Sequence, residues 1–264
     1  MRWIFSFLLL AGCSTLVPVP ELAPGQATLS PEEAWRKTLA AHVDDRGQID
    51  FAGLKRDSGL LRQYVAFLAK EGPKTQPARY NSREQKLAFH LNAFNALTLY
   101  GILNADVPAS LGPAFFRKKF VIEGTEVTLE DYRNRTIRAL GDERVHGALN
   151  PMTKGAPKML RYPFFAEWIH EELEKQSATF FNDDRYVQKD PARKTVHVSS
   201  LLKTYAEDYL RKASSLVGYV NRYRKDKIPA DYKIEFLPFD WTLNSQPRTS
   251  SKGFSKAYST VSEG

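Results

Sequence analysis

The chain of 264 residues contains a single cysteine, Cys13, close to its N-terminus. Its folded part can therefore form no disulfide and must be held together by packing alone. Thiol catalysis in that part is excluded as well, because the mechanism needs a cysteine nucleophile. The sequence also lacks a Gly-x-Ser-x-Gly nucleophile elbow and a glycine-rich phosphate loop. These absences argue against a serine hydrolase of the elbow type and against nucleotide-dependent chemistry.

The N-terminal residues have the features of a secretory leader. Arg2 precedes a short apolar run over 4–10, and small residues follow it. This run is too short to span a bilayer, which takes about 20 residues. The order Leu10-Ala11-Gly12-Cys13 resembles the lipobox of bacterial lipoproteins. That resemblance implies a signal peptide over 1–12 and lipid attachment at Cys13.

A lipobox followed by Ser14 rather than aspartate implies an outer-membrane lipoprotein that faces the periplasm. Behind it, the proline-rich residues 13–30 predict a tether, residues 31–246 a single globular domain, and residues 247–264 a flexible tail. The net charge is +8, but an exported protein rarely meets nucleic acid. The expected partners are therefore the membrane, through the lipid, and a peptide or cell-wall ligand, but no nucleic acid. The oligomeric state is left open.

The longest predicted helix begins after Ser82 and runs to about Asn104. Ser82 and Gln85 have the spacing of a capping box, and apolar residues cover most of the helix circumference, so we expect it to be buried on nearly every side. A buried amide must find hydrogen-bond partners. The polar residues of this helix therefore either pin neighbouring loop backbone or form one wall of a ligand site. Three of them share one stripe, namely Glu84, Asn92 and Asn95.

Several short segments predict strands. Residues 119–129 form a hairpin pattern around the turn Glu123-Gly124. Residues 144–150 alternate in a way that predicts a strand with His146 on the face opposite the apolar residues. Two further strands are predicted over 195–198 and 233–237. Together with the helices they predict an α+β fold, with a buried central helix, a mainly antiparallel sheet and surrounding helices.

Taken together, these segments resemble the domain-of-unknown-function family 547, over about residues 50–244. In many relatives the loop after the histidine carries two cysteines, whereas this chain has Pro151 and Ala156 at the corresponding positions. The resemblance therefore implies a fold more than an activity. It is carried by Glu84-Gln85, Leu87-Ala88-Phe89, the run from Asn92 to Thr98, Lys118-Lys119-Phe120, the run from Thr128 to Asp131, Val145-His146, Ala148-Leu149-Asn150, Tyr205…Glu207-Asp208, Leu237-Pro238-Phe239-Asp240-Trp241 and Leu243-Asn244.

Papain-type and transglutaminase-type hydrolases also place a central helix, a histidine strand and an acid or amide in this order, which is an analogy of fold only. The leading hypothesis is a degenerate, enzyme-like pocket that binds a peptide or cell-envelope fragment. Its expected ligand contacts are Asn92, Asn95, Asn150 and Lys154, beside His146 and Asp240.

One alternative is a cysteine-independent hydrolase or transferase, with His146 as general base and Asp240 or Glu84 orienting it. Another is a non-catalytic envelope scaffold. No cofactor is expected. No metal site is expected either, since the helix segment His170-Glu171-Glu172 has no second histidine at the required spacing.

Overall fold

The computed structural model describes residues 15–22 and 29–247. The predicted leader, Cys13 and the predicted tail beyond residue 247 lie outside these residues. Within them, helices alternate with two small sheets, which confirms the α+β class. The α-helices are α1 (Pro31–His42), α2 (Phe51–Arg56), α3 (Gly59–Leu68), α4 (Arg83–Asn104), α5 (Leu129–Asp131), α6 (Ile169–Asn182), α7 (Leu201–Thr204), α8 (Ala206–Leu210) and α9 (Leu216–Tyr223), and the strands are β1 (Lys119–Ile122), β2 (Thr125–Thr128), β3 (Val187–Asp190), β4 (Thr195–Ser199) and β5 (Lys233–Leu237).

Helix α4 is the centre of the larger of two apolar cores. It begins with the predicted capping box, in which the Ser82 hydroxyl accepts from the Gln85 N–H and the Gln85 side chain accepts from the Ser82 N–H. Every residue from Leu87 to Ile102 is buried, which confirms the expectation drawn from its apolar circumference. In the part of the chain that the structure describes, no helix is long and apolar enough to cross a membrane.

The strands form two separate sheets. β1 and β2 make the predicted hairpin, whose turn residues Glu123 and Gly124 have φ of +50° and +73°, the conformation of a tight hairpin turn. β3 pairs with β4 antiparallel, and β4 pairs with β5 in parallel. The second sheet is therefore mixed. It packs with α6, α8 and α9 around the smaller core, to which Phe180, Val196 and Tyr219 belong.

The predicted strand over 144–150 is wrong. Residues Glu143–Gly147 form a short 3-10 helix, whose first turn is capped by the Asp142 side chain accepting from the Arg144 N–H at 3.2 Å. The Asp142 side chain accepts a hydrogen bond from a backbone N–H that would otherwise need an acceptor on a neighbouring strand. His146 consequently projects from a helical turn and not from a sheet.

The predicted tether also needs correction over its described part. The Val17 N–H donates to the Lys119 carbonyl at 2.8 Å, and the Lys119 N–H donates to the Thr15 carbonyl at 3.1 Å. Val17 is buried in the larger core, and the Tyr100 hydroxyl donates to the Pro18 carbonyl at 3.0 Å. Proline favours an extended chain, and an extended chain is also what can pair with the edge of a strand. This segment therefore packs on the domain.

Candidate functional site

A cavity of about 260 Å³ lies where the side of α4 meets the segments around α5 and α7 and the segment that follows β5. Its walls are mainly aromatic and apolar, and a few polar side chains interrupt them, which is the usual composition of a small-molecule site. The apolar walls include Phe94, Phe116, Leu149, Tyr205, Phe239 and Trp241, and the polar lining consists of Glu130, Arg133, His146, Ser200 and Thr204.

A buried ionic network holds His146 at the cavity. Its Nε2 lies 2.8 Å from Oδ2 of Asp208, on α8. Arg138 donates to both oxygens of the same carboxylate, from Nε at 2.7 Å and from Nη2 at 3.0 Å. The hydrogen bonds from His146 and Arg138 lower the pKa of Asp208 well below its usual range, although burial opposes the shift. The carboxylate stays ionised and can only accept, so the His146 proton is on Nε2.

Burial controls the protonation of His146 itself. The side chain is 1% exposed and stacks on Tyr205, with ring centroids 3.8 Å apart. Removal from water lowers the pKa of His146, against the opposing effect of Asp208. The imidazole is therefore neutral near pH 7, and its Nδ1 carries a lone pair. Nδ1 has no hydrogen-bond partner among the described residues.

Arg133 is the second side chain of the cavity with a polar atom that has no partner in the described part of the chain. It lies in a short π-helix, Tyr132–Ile137, a distortion that often occurs at functional sites. Its guanidinium carbon lies 5.4 Å from the Tyr205 ring centroid and 5.9 Å from that of Phe116. The Nε of Arg133 is buried, and no described residue accepts its hydrogen. A buried donor of this kind needs an acceptor from elsewhere.

The predicted polar stripe on α4 does not reach the cavity. The Asn92 Oδ1 accepts from Trp35 Nε1 at 3.2 Å and from the Phe164 N–H at 2.9 Å, and its Nδ2 donates to the Phe164 carbonyl at 2.8 Å. Asn92 therefore pins α1 and the loop before α6 to the central helix. The expectation that Asn92 would form one wall of a ligand site is wrong, because its side-chain amide is already hydrogen-bonded to other groups of the protein.

Asn95 and Asn150 fix the loop that follows His146. Asn95 donates to the Ala148 carbonyl at 3.1 Å and accepts from the Asn150 N–H at 2.8 Å. The Asn150 side chain donates to the Pro157 carbonyl and accepts from the Met152 N–H. These two asparagines, also expected as ligand contacts, are thus occupied by backbone. They position His146 and do not line the cavity.

The structure places the other predicted site residues elsewhere. Glu84 lies at the exposed start of α4, with its Oε1 3.4 Å from Nε2 of His170. Asp240 accepts from the Thr242 N–H at 2.9 Å and, with Lys154, borders a separate surface depression. The acid beside His146 is Asp208, so the expectation that Asp240 or Glu84 would orient His146 is wrong.

The position of Asp240 follows from the extended chain around it. Phe239 and Trp241 both line the cavity, and successive residues of an extended segment point to opposite sides. The residue between them is therefore turned away. Asp208 was missed, although Tyr205 and Asp208 are three residues apart, a spacing that places both on one face of a helix. That spacing was the available signal.

The fold and the cavity define an α+β domain with a small aromatic-walled site containing a histidine–aspartate pair. Residues 77–181 match the family described as "Protein of unknown function, DUF547". The match confirms the motif-based resemblance over this range and includes α4, Arg133 and His146. Tyr205 and Asp208 lie beyond it. No curated protein and no solved structure matches the chain.

Proposed function

We propose that the chain is a lipid-anchored periplasmic protein whose cavity binds a peptide or cell-envelope fragment without converting it. The observation that carries the proposal is an aromatic-walled cavity lined by two side chains, Arg133 and His146, whose buried atoms Nε and Nδ1 have no partner among the residues that the structure describes. Buried polar atoms without partners are rare in folded proteins, and a ligand that satisfies them would bind with orientation as well as affinity.

The hydroxyl groups of the cavity favour binding over nucleophilic catalysis. Ser200 and Thr204 line it, but the Thr204 hydroxyl donates to the Ser200 carbonyl at 3.1 Å. Among the described residues, neither hydroxyl is hydrogen-bonded to His146. A serine or threonine nucleophile needs a base in contact with it.

A hydrolase that uses His146 to activate water is the second candidate. A neutral imidazole whose proton is fixed on Nε2 by Asp208 presents Nδ1 as a base, and this favours it. The two candidates differ in the fate of the ligand, because a binding protein releases it unchanged and a hydrolase releases its fragments.

Filling the cavity should remove the ligand. Thr204 is exposed on α7 and borders the cavity, so Thr204→Trp places a large side chain there without disturbing a core. We expect small molecules that co-purify with the full-length protein, detected by native mass spectrometry, to be lost from Thr204→Trp and retained by Thr204→Ser. Equal occupancy of the two variants would contradict the binding proposal. Release of cleaved ligand by wild type, but not by His146→Ala, would favour the hydrolase.

The anchor is tested separately at Cys13. Thr15 already pairs with β1, so only Ser14 separates Cys13 from the described domain in sequence. Loss of the acyl chains removes the anchoring free energy of about 0.8 kcal/mol per buried methylene. We expect Cys13→Ala to move the protein from the membrane to the aqueous fraction with an unchanged melting temperature, whereas Ser14→Ala stays on the membrane. A Cys13→Ala protein that still sediments with membranes would show that another feature anchors it.

A further inference from the structure

We infer that the cavity recognises the free carboxyl end of a peptide or N-acylated amino acid that has an apolar terminal side chain. This rests on the proposed binding function and specifies its ligand. In the inferred complex Arg133 binds the carboxylate, His146 Nδ1 accepts the adjacent amide N–H, and the aromatic walls contact the side chain.

The first step of the argument is that Arg133 differs from the other arginines held in the fold. Arg138 is paired with Asp208, and Arg144 with Asp142 at 2.8 Å. Arg224 donates to the carbonyl oxygen of Phe181 at 2.9 Å. Arg133 has no such oxygen partner among the residues described, although its Nε is buried. A guanidinium presents several donors in a planar fork that matches a carboxylate.

The second step concerns the charge of the anion. Glu130 borders the same cavity as Arg133, three residues earlier in the chain. The other nearby guanidinium, that of Arg138, is neutralised by Asp208. One cation that is free to bind, together with a carboxylate at the rim, suits an anion with a single charge better than a phosphate dianion. Burying a second negative charge without a partner would oppose binding.

The third step is that the hydrogen-bond acceptor, His146, lines the same cavity as the anion-binding group, Arg133. Arg133 and His146 both line the cavity and both pack on the ring of Tyr205, so the two side chains come together at one part of it. Neutral His146 offers an acceptor there and no donor, because Asp208 takes the Nε2 proton. The terminal residue of a peptide carries an amide N–H and a carboxylate on the same α-carbon. Phe94, Phe116 and Trp241 supply apolar contact for its side chain.

The test uses two probes of nearly identical shape, N-acetyl-L-phenylalanine and its uncharged primary amide. Isothermal titration of the full-length protein should show the acid binding on the order of 10- to 100-fold tighter than the amide, the range for a charged hydrogen-bonded contact. Arg133→Gln should abolish this preference, and Arg133→Lys should retain part of it. Arg135→Gln is the matched control, because Arg135 lies in the same π-helix with its side chain 82% exposed. It should bind as wild type does.

With the acid and its amide, three results would overturn the inference: equal binding of the two by wild type, an undiminished preference in folded Arg133→Gln, or no binding of either probe at millimolar concentration. Tighter binding of phenyl phosphate than of the acid would reject the carboxylate class.

These outcomes are separate from failure of the proposed function. If co-purified ligand is lost from Thr204→Trp but the probes do not discriminate, the cavity binds a ligand of another class. If Thr204→Trp changes nothing, the cavity is not the site.

Discussion

Replacing Asp208 with alanine is expected to lower the free energy of unfolding by about 3 kcal/mol. The carboxylate accepts two hydrogen bonds from Arg138 and one from His146, and its side chain is 11% exposed. Its removal leaves the Arg138 charge and the His146 N–H without their acceptor in a place that water reaches poorly. The effect is at the low end of the range for buried pairs, because the Arg138 side chain is 25% exposed and regains some water.

Chemical denaturation of Asp208→Ala and of a surface control measures this effect. Asp45 pairs with Arg161 at 2.7 Å, but its side chain is 89% exposed. Removing an exposed partner costs about 0–1 kcal/mol, so Asp45→Ala should be close to wild type. Similar losses for Asp208→Ala and Asp45→Ala would show that the His146 network is not buried in solution.

A second substitution at the same position separates stability from the state of the imidazole. Asp208→Asn preserves the shape, but its amide can donate to His146 Nε2 and so move the ring proton to Nδ1. The acceptor assigned to the ligand would then become a donor. We expect Asp208→Asn to fold and to lose binding of N-acetyl-L-phenylalanine, with the tautomer change visible in the ¹⁵N shifts of His146. Unchanged binding with a changed tautomer would remove His146 Nδ1 from the ligand contacts.

Local signals in the sequence were enough to predict the elements that depend on local contacts. The capping box fixed the start of α4, and the turn Glu123-Gly124 fixed the hairpin, because both are made by residues a few positions apart. The segment around His146 was wrongly predicted as a strand, because an alternation over only five or six residues is also compatible with a short helical turn. Asp142, which precedes this segment and caps the 3-10 helix, was the sequence signal for a helical turn.

The site could be predicted only in part, because its contacts are remote in sequence. His146 was predicted as a site residue, and the structure places it at the cavity, but its acid lies 62 positions away on α8. Periodicity along one segment carries no information on which distant helix will pack there. Asn92 and Asn95 show the same limit. Their burial was predicted, whereas their partners in the loops at Phe164 and Ala148 come from the tertiary fold.

Acidification from pH 7 to pH 4 is expected to lower the free energy of unfolding by about 3 kcal/mol through His90 alone. His90 lies in the middle of α4, and its Nδ1 and the Tyr132 hydroxyl lie 2.6 Å apart and share a hydrogen bond. Burial lowers the pKa of His90 to about 4, and the charges of Lys74 and Lys86 act in the same direction. The folded protein therefore keeps this ring neutral in mild acid.

The direction of the effect follows from the two protonation states. The unfolded chain takes up a proton at His90 below its ordinary pKa of about 6.5, whereas the folded chain does so only near pH 4. The stabilisation is thus complete above pH 6.5 and is lost as the pH falls towards 4. Each pH unit in this window costs about 1.4 kcal/mol for one proton. His146, whose pKa is also lowered by burial, adds to the loss in the same direction.

Denaturation curves collected from pH 7 to pH 4 compare the wild type with His90→Phe and Tyr132→Phe. His90→Phe removes the titrating ring and should remove about 3 kcal/mol of the pH dependence, which leaves the part contributed by His146. Tyr132→Phe removes the hydroxyl partner but keeps the buried imidazole, so it should lower stability at every pH and preserve the slope. The two aromatic substitutions thus distinguish titration of His90 from a general weakening of the core. A wild-type curve that is flat over this range, or a His90→Phe curve as steep as wild type, would show that His90 is not held neutral by the fold.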